Sequence, residues 1–560
     1  MTRRHSLVMV GEARLDNRED ILRLTNEPCD ESDLCAILGA YDRNGAAVIP
    51  QLHGDFAFVL WDGAKQEFLA VRDCFGVKRL FWTTRDNAVL VSSELDALYN
   101  TGTINEAFVW SFLSARDHDP AHTIWSGVEA IRPASYLSAK HGTKDTRVYW
   151  RPGNARPVIP TDEREQTAVF AAHLQDAIRS RMRSDDSVWC ELSGGLDSTS
   201  VFAFAEKLFG LGQISGRVAG TYSFVDEMPG ADERRFLDSV LASTPIPNKQ
   251  LVNSYPWQED NEPPPRTDEP HPFFPFWARD RASEQIVHDA GGTVILSGGG
   301  SDYYLTGSPF FVADSLSRFE IASAIADARE LALAFRGSMW RILWRYGVRP
   351  LINGGAQSMA DVELSIPPWI TANFIRTSDA SRPTAAARVR GPNASFSLDN
   401  TTRELSGAAS LFELPVSSSI IEKRYPFFAR PLVDFALALP PNMMLRGGTT
   451  KWVLRQATHR TIPEIVRTRR SKGWIDGRIA WALSQRAPLF VSLLRDPLIA
   501  QAGWVDADKL RSAVEMARSG LIDYMPMLFR ALALETWLVV RERQWPDVQA
   551  PSNSASGGSF

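Results

Sequence analysis

Residues 188–200 read VWCELSGGLDSTS, and this stretch decides the fold. The apolar run before the two glycines is typical of a buried strand, and the VFAFAEKLF that follows is typical of an amphipathic helix. Another apolar run, GTYSFV at 220–225, comes next. The order strand, helix, strand predicts a βαβ unit in a parallel sheet, which binds ligands at the carboxyl ends of its strands.

The SGGLDS turn contains the residue types of a phosphate site. Its glycines allow a tight turn that brings backbone N–H groups toward a ligand, at the positive end of the next helix. Ser193 and Ser198 add hydroxyl donors, whereas the Asp197 carboxylate repels an anion and fits a Mg²⁺ ligand better. A structural turn with Asp197 as the helix cap is the alternative. The complete motif, which is not the GxxxxGK[ST] loop, favours nucleotide binding.

A second strand end of the same kind lies at 292–304, GTVILSGGGSDYY. An apolar run rich in β-forming residues again ends in glycines, small hydroxyl residues and one aspartate, Asp302. Because the arrangement repeats the first one, we interpret it as a second loop at the end of a strand.

The rest of the chain divides by composition. Residues 1–150 combine short strand patterns with helical ones and predict an α+β unit, and the proline-rich RPGNARPVIPTDERE at 151–165 predicts a linker. Residues 166–548 form the domain with both loops, mostly helical beyond the second one, with a polar loop at 377–402. Residues 549–560 have the composition of a disordered tail.

The composition excludes several classes of protein. The 560 residues are 44% apolar and 23% charged, as in a globular chain with a large core. A net charge of −5 with dispersed basic residues gives no reason to expect a nucleic-acid partner. No segment has the ~18 unbroken apolar residues of a membrane helix, and the four cysteines form no CxxC or metal pattern. We expect a cytoplasmic protein without a membrane partner.

The two loops resemble those of the asparagine synthetase B family, SGGLDS as its pyrophosphate-binding loop and LSGGGSD as its second loop, usually SGxGSD. Other segments match in the family's order: GDFAFVLWD, RDCFGVKRLFW, EKRYPFFARPLVDFALALPP at 422–441 and TKWVLRQATHRTIPEIVRTRRSKGW at 450–474. The resemblance implies an α/β fold, a PP-loop synthetase domain of the adenine nucleotide α-hydrolase type preceded by an α+β glutaminase-like domain of the N-terminal nucleophile (Ntn) class. It also implies that a carboxylate attacks the α-phosphorus of ATP, and that an amine then displaces AMP from the acyl adenylate.

The resemblance also implies roles for individual residues, with ATP and Mg²⁺ as cofactors. Asp197 and Asp302 match the Mg²⁺ ligands, one from each loop. Lys451 matches a lysine that binds departing phosphate charge, and Lys472 matches one that stabilises the phosphate and the oxyanion of the tetrahedral intermediate. Outside such motifs a lysine is usually a solvated surface residue. The nucleotide-binding positions are Leu192, Ser223 and Phe224 beside the adenosine, and Ser193, Gly194, Gly195, Asp197, Ser198, Ser297, Gly298 and Gly299 in the two loops.

The start of the chain departs from the glutamine-hydrolysing members. Those members carry a cysteine after the initiator methionine, where this chain has Thr2, and an asparagine before Gly11, where it has Val10. Threonine can serve as an N-terminal nucleophile, but VMVGEARLDNRED resembles a segment further inside the glutaminase domain. We therefore expect residues 1–150 to be a degenerate glutamine amidotransferase-like domain without glutamine hydrolysis. A misassigned start codon would give the same pattern.

The second loop departs as well. At the position of Gly299 the asparagine synthetases carry glutamate and the β-lactam synthetases carry tyrosine, a side chain that handles the proton of the amine. After Asp302, the asparagine synthetases have another acid where this chain has Tyr303. Both differences weaken the case for ammonia as the acceptor, and the glycine opens space in the loop.

A general base must then come from elsewhere in the chain. Glu422, just before RYPFFARP, is our candidate. An equal alternative is that Glu422 is a structural partner of Arg424 or Arg430. His271 in DEPHPF is a weaker candidate, which we expect to be an ordinary loop residue.

An amide synthetase without its own ammonia source fits three acceptors: free ammonia, an internal amine of a small molecule, or the amine of a peptide. The third describes the lasso peptide cyclases, family members that adenylate an Asp or Glu side chain of a precursor peptide and close a macrolactam with its N-terminal amine. They resemble this chain in lacking the N-terminal cysteine and in varying the residue inside SGxGSD. We therefore expect a lasso peptide macrolactam synthetase.

The expected partners are the precursor peptide and, by the resemblance, a leader peptidase and a leader-recognition protein. An asparagine synthetase that uses free ammonia is the first alternative, and a small-molecule lactam synthetase of the β-lactam type is the next. A scaffold or sensor without activity is disfavoured, because both loop aspartates and both candidate lysines are retained.

Overall fold

The protein has two domains, an antiparallel α+β domain and an α/β domain built on a parallel sheet, as the sequence predicts. The computed structural model describes residues 1–25, 32–99, 103–116, 119–184, 187–227, 232–259, 262–352, 365–380, 395–406, 408, 421–470, 475–521 and 523–542. Lys472 and the predicted tail at 549–560 lie outside the described residues.

In the described residues of the first domain, nine strands form two sheets. They are β1 (Thr2–Arg4), β2 (Leu7–Leu15), β3 (Gly54–Asp62), β4 (Glu67–Arg72), β5 (Phe81–Arg85), β6 (Ala88–Ser92), β7 (Glu129–Ala130), β8 (Ser135–Lys140) and β9 (Thr143–Val148). The larger sheet has the order β1-β2-β3-β4-β8-β9 and is antiparallel, and β6-β5-β7 form the smaller one. The domain also contains the helices α1 (Arg18–Thr25), α2 (Asp33–Asn44) and α3 (Glu106–Ser114).

Strand β3 has the sequence GDFAFVLWD, in which apolar and polar residues do not alternate, and its packing explains why. Phe56, Phe58 and Leu60 are buried in the cluster to which α1 and α2 contribute. Ala57, on the other face of the strand, packs with Leu137 of β8. Both faces of β3 are covered, so both sets of side chains must be apolar.

A five-stranded parallel sheet is the centre of the second domain. Its strands are β10 (Ser187–Glu191), β11 (Gly220–Val225), β12 (Asn248–Val252), β13 (Gly292–Leu296) and β14 (Glu422–Arg424). The order is β12-β11-β10-β13-β14. The chain therefore adds β11 and β12 on one side of β10, and then crosses to add β13 and β14 on the other side. This reversal places the loops that follow β10 and β13 next to each other, where α/β sheets bind their ligands.

Helices surround this sheet. The first eight are α4 (Glu163–Arg181), α5 (Leu196–Gly210), α6 (Arg234–Leu241), α7 (Trp277–Asp289), α8 (Asp302–Leu305), α9 (Phe311–Ser317), α10 (Ile321–Ala334) and α11 (Met339–Ile342), and a π-helical turn, Leu343–Val348, joins α11 to α12 (Arg349–Ile352). The later elements are the helices Ala372–Ala380, Phe396–Leu405, Arg430–Ala438, Trp452–Ala457, Glu464–Arg467, Ile475–Gln485, Ala487–Leu493, Leu498–Gln501, Ala507–Arg518 and Met525–Glu542, and the hairpin strands β15 (Leu445–Arg446) and β16 (Thr449–Thr450). In the described part of the chain, no helix has the length and apolar character needed to cross a bilayer.

Two boundaries differ from the sequence prediction. Helix α4 begins inside the predicted linker, because the Asp162 carboxylate accepts hydrogen bonds from the backbone N–H groups of Arg164 and Glu165 and caps the helix. The predicted polar loop at 377–402 is wrong at both ends, which belong to the helices Ala372–Ala380 and Phe396–Leu405. The second of these helices starts where the Ser395 hydroxyl accepts from the backbone N–H of Leu398. Residues 381–394 lie outside the described residues.

A buried cluster of ion pairs joins the two domains. The Arg14 guanidinium of β2 donates to Asp16 at 2.7 Å and to Asp55 of β3 at 2.6 Å. Arg181, the fully buried last residue of α4, contacts the same two carboxylates at 2.8 and 3.5 Å. A further N–H group of Arg181 donates to the carbonyl oxygen of Phe428 at 3.1 Å. We call Arg14, Asp16, Asp55 and Arg181 the arginine–aspartate cluster.

Candidate active site

The first predicted loop is a closed turn between β10 and α5. Gly194 has a φ of 70°, and a Cβ atom on it would lie 2.5 Å from the backbone nitrogen of Leu237, so only glycine fits. The N–H of Ser193 donates to the Ser198 hydroxyl at 3.1 Å, and the N–H of Gly195 donates to the Ser193 hydroxyl at 3.2 Å. Ser193 remains exposed at the tip of the turn. The loop therefore presents hydroxyl and N–H groups at the N-terminus of α5, as a phosphate site requires.

The second predicted loop follows β13 and is held by a side chain and a backbone carbonyl from two neighbouring strands. The Ser297 hydroxyl donates to Glu191, at the end of β10, at 2.8 Å and accepts from the N–H of Gly299 at 3.2 Å. The N–H of Ser297 donates to the carbonyl oxygen of Arg424 in β14 at 3.0 Å. These bonds fix the loop at the carboxyl end of the sheet.

The two loops are in direct backbone contact. A Cβ atom on Gly298 would lie 2.5 Å from the backbone nitrogen of Ser198, and 2.9 Å from the carbonyl carbon of Asp197. Side chains at this position would push the second loop away from α5. The glycine is thus explained by the close approach of the two loops rather than by flexibility.

Lys451 joins the two loops through its side chain. Its Nζ lies 2.6 Å from an Asp197 oxygen, 2.6 Å from an Asp302 oxygen and 2.8 Å from the Ser301 hydroxyl. The side chain is buried, and the residue has a φ of 57°, an uncommon backbone conformation for a lysine. The structure therefore brings three predicted site residues, Asp197, Asp302 and Lys451, around one point.

The residues at this point fit a Mg²⁺ ion. Two carboxylates converge on a single cation, and the second carboxylate oxygen of Asp197 is buried without a hydrogen-bond partner, as expected of an unused ligand. Among the described residues, no group of three or more His, Cys, Asp or Glu side chains could hold a metal alone. A site with two carboxylates suits Mg²⁺ nevertheless, because this ion is usually completed by water and substrate phosphates.

The predicted adenosine positions line the neighbouring strand. Leu192 is buried, and its carbonyl oxygen accepts a hydrogen bond from the Ser223 hydroxyl. The Asn248 side-chain amide donates to the same hydroxyl at 2.9 Å. Phe224 lies on the other face of β11, where the Arg279 guanidinium stands over its ring at 4.8 Å. Ser223 and Leu192 are therefore close together, and Phe224 faces the α7 side of the sheet.

Glu422 lies in an arginine network at the start of β14. It accepts from Arg424 at 2.6 Å and lies 3.9 Å from Arg14. Burial raises the pKa of its carboxyl, but the hydrogen bond and charge of Arg424 outweigh burial and hold the pKa below the ordinary value. Arg424 also donates to the carbonyl oxygens of Arg181 and Arg183 at the end of α4. These contacts match the structural alternative stated for Glu422, and no described contact joins it to the two loops.

His271 was the weaker base candidate, and Tyr303 stands where the asparagine synthetases have an acid. His271 is a buried loop residue whose Nδ1 accepts from the N–H of Phe273 at 3.1 Å. Burial and the neighbouring Asp302 raise the pKa of Tyr303 to about 12, so its phenol is a poor base at neutral pH. Lys472 lies outside the described residues, and its predicted role stays a prediction.

Four residues were missed by the sequence reasoning. They are Glu191, Asn248, Arg279 and Ser301. Ser301 could have been found, since it is the second hydroxyl residue of SGGGSD, next to Asp302. Glu191 lies two residues before Ser193, but only the strand order pairs it with Ser297. The strand order also brings Asn248 and Arg279, which lie outside the two motifs, to the site.

The family models match both domains. A glutamine amidotransferase domain matches residues 6–150, and asparagine synthase matches residues 170–539, more than half of the chain. Among solved structures, the glutamine phosphoribosylpyrophosphate amidotransferase of Bacillus subtilis aligns with 45% of this chain and 62% of its own at 11% identity. The TM-score of this alignment is 0.20.

Three known proteins illustrate the similarity in sequence. Amidase chry2 of Gibberella zeae is 31% identical over 309 residues, 51% of this chain but only 44% of that protein. Amidase chyE of Penicillium rubens is 24% identical, covering 87% of this chain and 79% of that protein. The glutamine-hydrolyzing asparagine synthetase 1 of Bacillus subtilis is 24% identical, covering 79% and 71%. Together with the asparagine synthase match, the synthetase relatives indicate an ATP-dependent amide-forming ligase. The chain belongs to the asparagine synthase family.

Proposed function

We propose that this protein is a lasso peptide cyclase, which adenylates an Asp or Glu side chain of a precursor peptide and joins it to the N-terminal amine of that peptide. The observation that carries the proposal is Gly299. This residue lies half-buried in the loop that approaches α5, three residues before Asp302, and brings no side chain to it. An acceptor larger than ammonia gains space there, and the loop keeps the groups that bind ATP.

The first step forms the acyl adenylate. A carboxylate oxygen of the peptide bonds to the α-phosphorus of ATP, and the bond to the bridging oxygen breaks to release pyrophosphate. The hydroxyls of Ser193 and Ser198 and the N–H groups at the start of α5 bind the leaving pyrophosphate. Asp197 and Asp302 would hold Mg²⁺, which would neutralise phosphate charge when bound. Lys451, which contacts both carboxylates in the structure, would turn its positive charge toward the same phosphates once Mg²⁺ takes this place.

The second step forms the lactam. The amine nitrogen attacks the acyl carbon, AMP leaves with its bonding electron pair, and the amine gives up one proton. An α-amino group has a pKa of about 8, so a substantial fraction is already neutral near physiological pH. A peptide amine therefore needs less help from a base than a more basic acceptor. This agrees with a loop that carries glycine at 299 and with a Glu422 that is engaged by arginines.

We also infer that residues 1–150 supply no ammonia to the second domain. Thr2 is paired with Met9 across β1 and β2, and its hydroxyl lies 3.1 Å from the Cys35 sulfur. Val10 replaces the asparagine that the glutaminases carry before Gly11. The ion pairs of the arginine–aspartate cluster give this domain a structural function at the domain boundary.

The main alternative is an asparagine synthetase that uses free ammonia. It is favoured by the relatives in Bacillus subtilis that are named asparagine synthetases. A small-molecule lactam synthetase is a further alternative. The fungal relatives named amidases point toward amide chemistry without naming an acceptor.

A direct assay separates these functions. The purified protein is incubated with ATP, Mg²⁺ and a synthetic precursor peptide that has an acid at position seven, eight or nine of its core. We expect one AMP and one pyrophosphate for each peptide, and a product lighter by one water in the mass spectrum. A matched peptide with an acetylated N-terminus should release pyrophosphate but form no lactam. Formation of asparagine from aspartate and ammonium, with no change in any peptide, would refute the proposal.

A further inference from the structure

One helical surface of the second domain exposes tryptophans. The π-helical turn joins α11 to α12 into one continuous helix, residues 339–352. Ile342 and Tyr346 are buried on its inner side, in the cluster that also contains Phe310. Trp340 and Trp344, four residues apart and therefore on one face, are 69% and 55% exposed. Packing in the core thus explains the apolar residues on the inner side of this helix, but it does not explain the exposed tryptophans.

Exposed apolar residues extend beyond the two tryptophans. Leu333 and Phe335, at the end of α10, are 73% and 53% exposed, and Ile352 at the end of α12 is 68% exposed. With Leu351, which is 37% exposed, six large apolar side chains of the described residues face water between positions 333 and 352. Isolated exposed apolar residues need no explanation, but a concentration of this kind marks an interaction surface.

The same segment is strongly basic. Residues 331–352 contain Arg336, Arg341, Arg345 and Arg349 but no acidic residue, in a chain whose net charge is −5. Arg341, Arg345 and Arg349 are spaced by four residues, like the tryptophans, and each of the first two follows a tryptophan directly. On a helix this spacing gives a row of guanidinium groups beside the row of indoles. We call residues 331–352 the tryptophan–arginine surface.

We propose that the tryptophan–arginine surface docks on an anionic lipid bilayer. Aromatic and aliphatic side chains beside a row of arginines are typical of helices that lie in the membrane interface, where indoles favour the headgroup region and arginines bind acidic headgroups. The charge is complementary to such a surface, although the chain as a whole is acidic. No transmembrane helix is required. The proposal departs from the sequence expectation of no membrane partner, which depended on the absence of such a helix.

A peptide groove explains the surface less well. Trp340 and Trp344 stand out from the protein with more than half of their area exposed, whereas side chains that line a groove are largely covered. A cavity of about 560 Å³ does lie nearby, lined by Asp314, Glu320 and Asp327 among others, but no residue of the tryptophan–arginine surface contributes to it. The surface therefore fits a broad, charged partner.

Vesicle sedimentation with the full-length protein tests the proposal. We expect binding to phosphatidylcholine vesicles with about 30% phosphatidylglycerol, little binding to pure phosphatidylcholine, and release in about 0.5 M NaCl. The double variant Trp340→Ser, Trp344→Ser should lose binding. The triple variant Arg341→Gln, Arg345→Gln, Arg349→Gln should bind on the order of 100-fold more weakly. Pyrophosphate release in solution should be unchanged in both, which separates this proposal from the proposed chemistry.

A matched control tests whether replacing any pair of exposed apolar residues reduces vesicle binding. Val158 and Val491, 92% and 62% exposed, lie outside the surface, and the variant Val158→Ser, Val491→Ser should bind vesicles like the wild type. The proposal is overturned if the wild-type protein does not bind the vesicles that contain phosphatidylglycerol. It is also overturned if the tryptophan variant still binds them. Binding to a polyglutamate peptide but not to vesicles would assign the surface to an acidic protein partner. A wild-type dimer that the tryptophan variant converts to a monomer would assign it to a second copy, and either outcome also overturns the proposal.

Discussion

Gly298 lies so close to Ser198 that a single added methyl group would stand 2.5 Å from the Ser198 backbone nitrogen. This contact joins the loop that follows β13 to the first turn of α5. The N–H groups of that turn and the Asp302 carboxylate are therefore held in one geometry by backbone packing. The relationship depends on the absence of a side chain, so it can be tested with the smallest possible substitution.

Gly298→Ala should lower pyrophosphate release by about 100-fold, because a shift of about 1 Å in a reacting group costs rate on this scale. Gly210→Ala, at the end of the same helix, is the matched control, since a Cβ there meets no atom within 4 Å. Both variants should show wild-type melting curves within a few degrees. Wild-type activity of Gly298→Ala would show that the two loops do not need this close contact.

Lys451→Met should convert the site into one that binds a divalent cation without nucleotide. The lysine ammonium lies between the Asp197 and Asp302 carboxylates, where it competes with the metal, and its removal leaves two uncompensated charges. Titration with Mn²⁺, followed by electron paramagnetic resonance without ATP, should detect a new site in the variant. Adenylation should fall by about 100-fold.

The matched control for the lysine is Lys207→Met, an exposed residue of α5. It should show the Mn²⁺ binding and the adenylation rate of the wild type. If Lys451→Met binds no more Mn²⁺ than the control, the ammonium does not occupy the cation position.

Glu422→Gln should slow adenylation and lactam formation by the same small factor, less than about tenfold, because its contacts are those of a structural partner of Arg424. The two steps are measured separately as pyrophosphate release and as peptide mass change. Lys423→Gln, on the opposite face of β14 and paired with Glu284, is the control. Loss of lactam formation with normal adenylation in Glu422→Gln would restore the glutamate as the general base.

Asp16→Asn should destabilise the protein at pH 7 by about 3 kcal/mol, the scale of a broken buried ion pair. Burial raises the pKa of Asp16, but Arg181 and Arg14 outweigh burial and hold the pKa of the folded protein below the ordinary value of 3.8. The contribution of the carboxylate is therefore complete above pH 3.8 and is lost as the pH falls through the lower, folded-state pKa. Urea midpoints should differ most at neutral pH and converge in strong acid. A difference that persists unchanged at the lowest pH would argue against this cluster as its cause.

The sequence contains enough local information to predict the strands and the two loops. The glycines of SGGLDS and SGGGSD, each after an apolar run, predict a strand end, and both strand ends are confirmed. The helix Phe396–Leu405 was missed, because its polar residues hide the buried Phe396 and Leu405 that hold it in place. Composition alone does not distinguish such a helix from a loop.

The ion pairs of the site required the fold. Lys451 and Asp197 are 254 positions apart, and no spacing rule connects them. Family resemblance predicted that both belong to the site, but not that the lysine bridges the two aspartates. Glu422 is the converse case, because its proximity to Arg424 was visible in the sequence. The contacts that favour a structural role nevertheless depend on β14 and the end of α4.

The arginine–aspartate cluster makes the catalytic half of the molecule inseparable from the first domain. Asp16 and Asp55 lie in the first domain, yet they neutralise Arg181, which is fully buried at the end of α4. A fragment that begins at the linker would leave this guanidinium without both carboxylates. The same guanidinium donates to the carbonyl oxygen of Phe428, whose ring lies next to Gly300 of the second loop. Truncation at the domain boundary would thus disturb the residues that support the second loop. Selection can therefore retain the first domain as a scaffold even where it has no catalytic activity of its own.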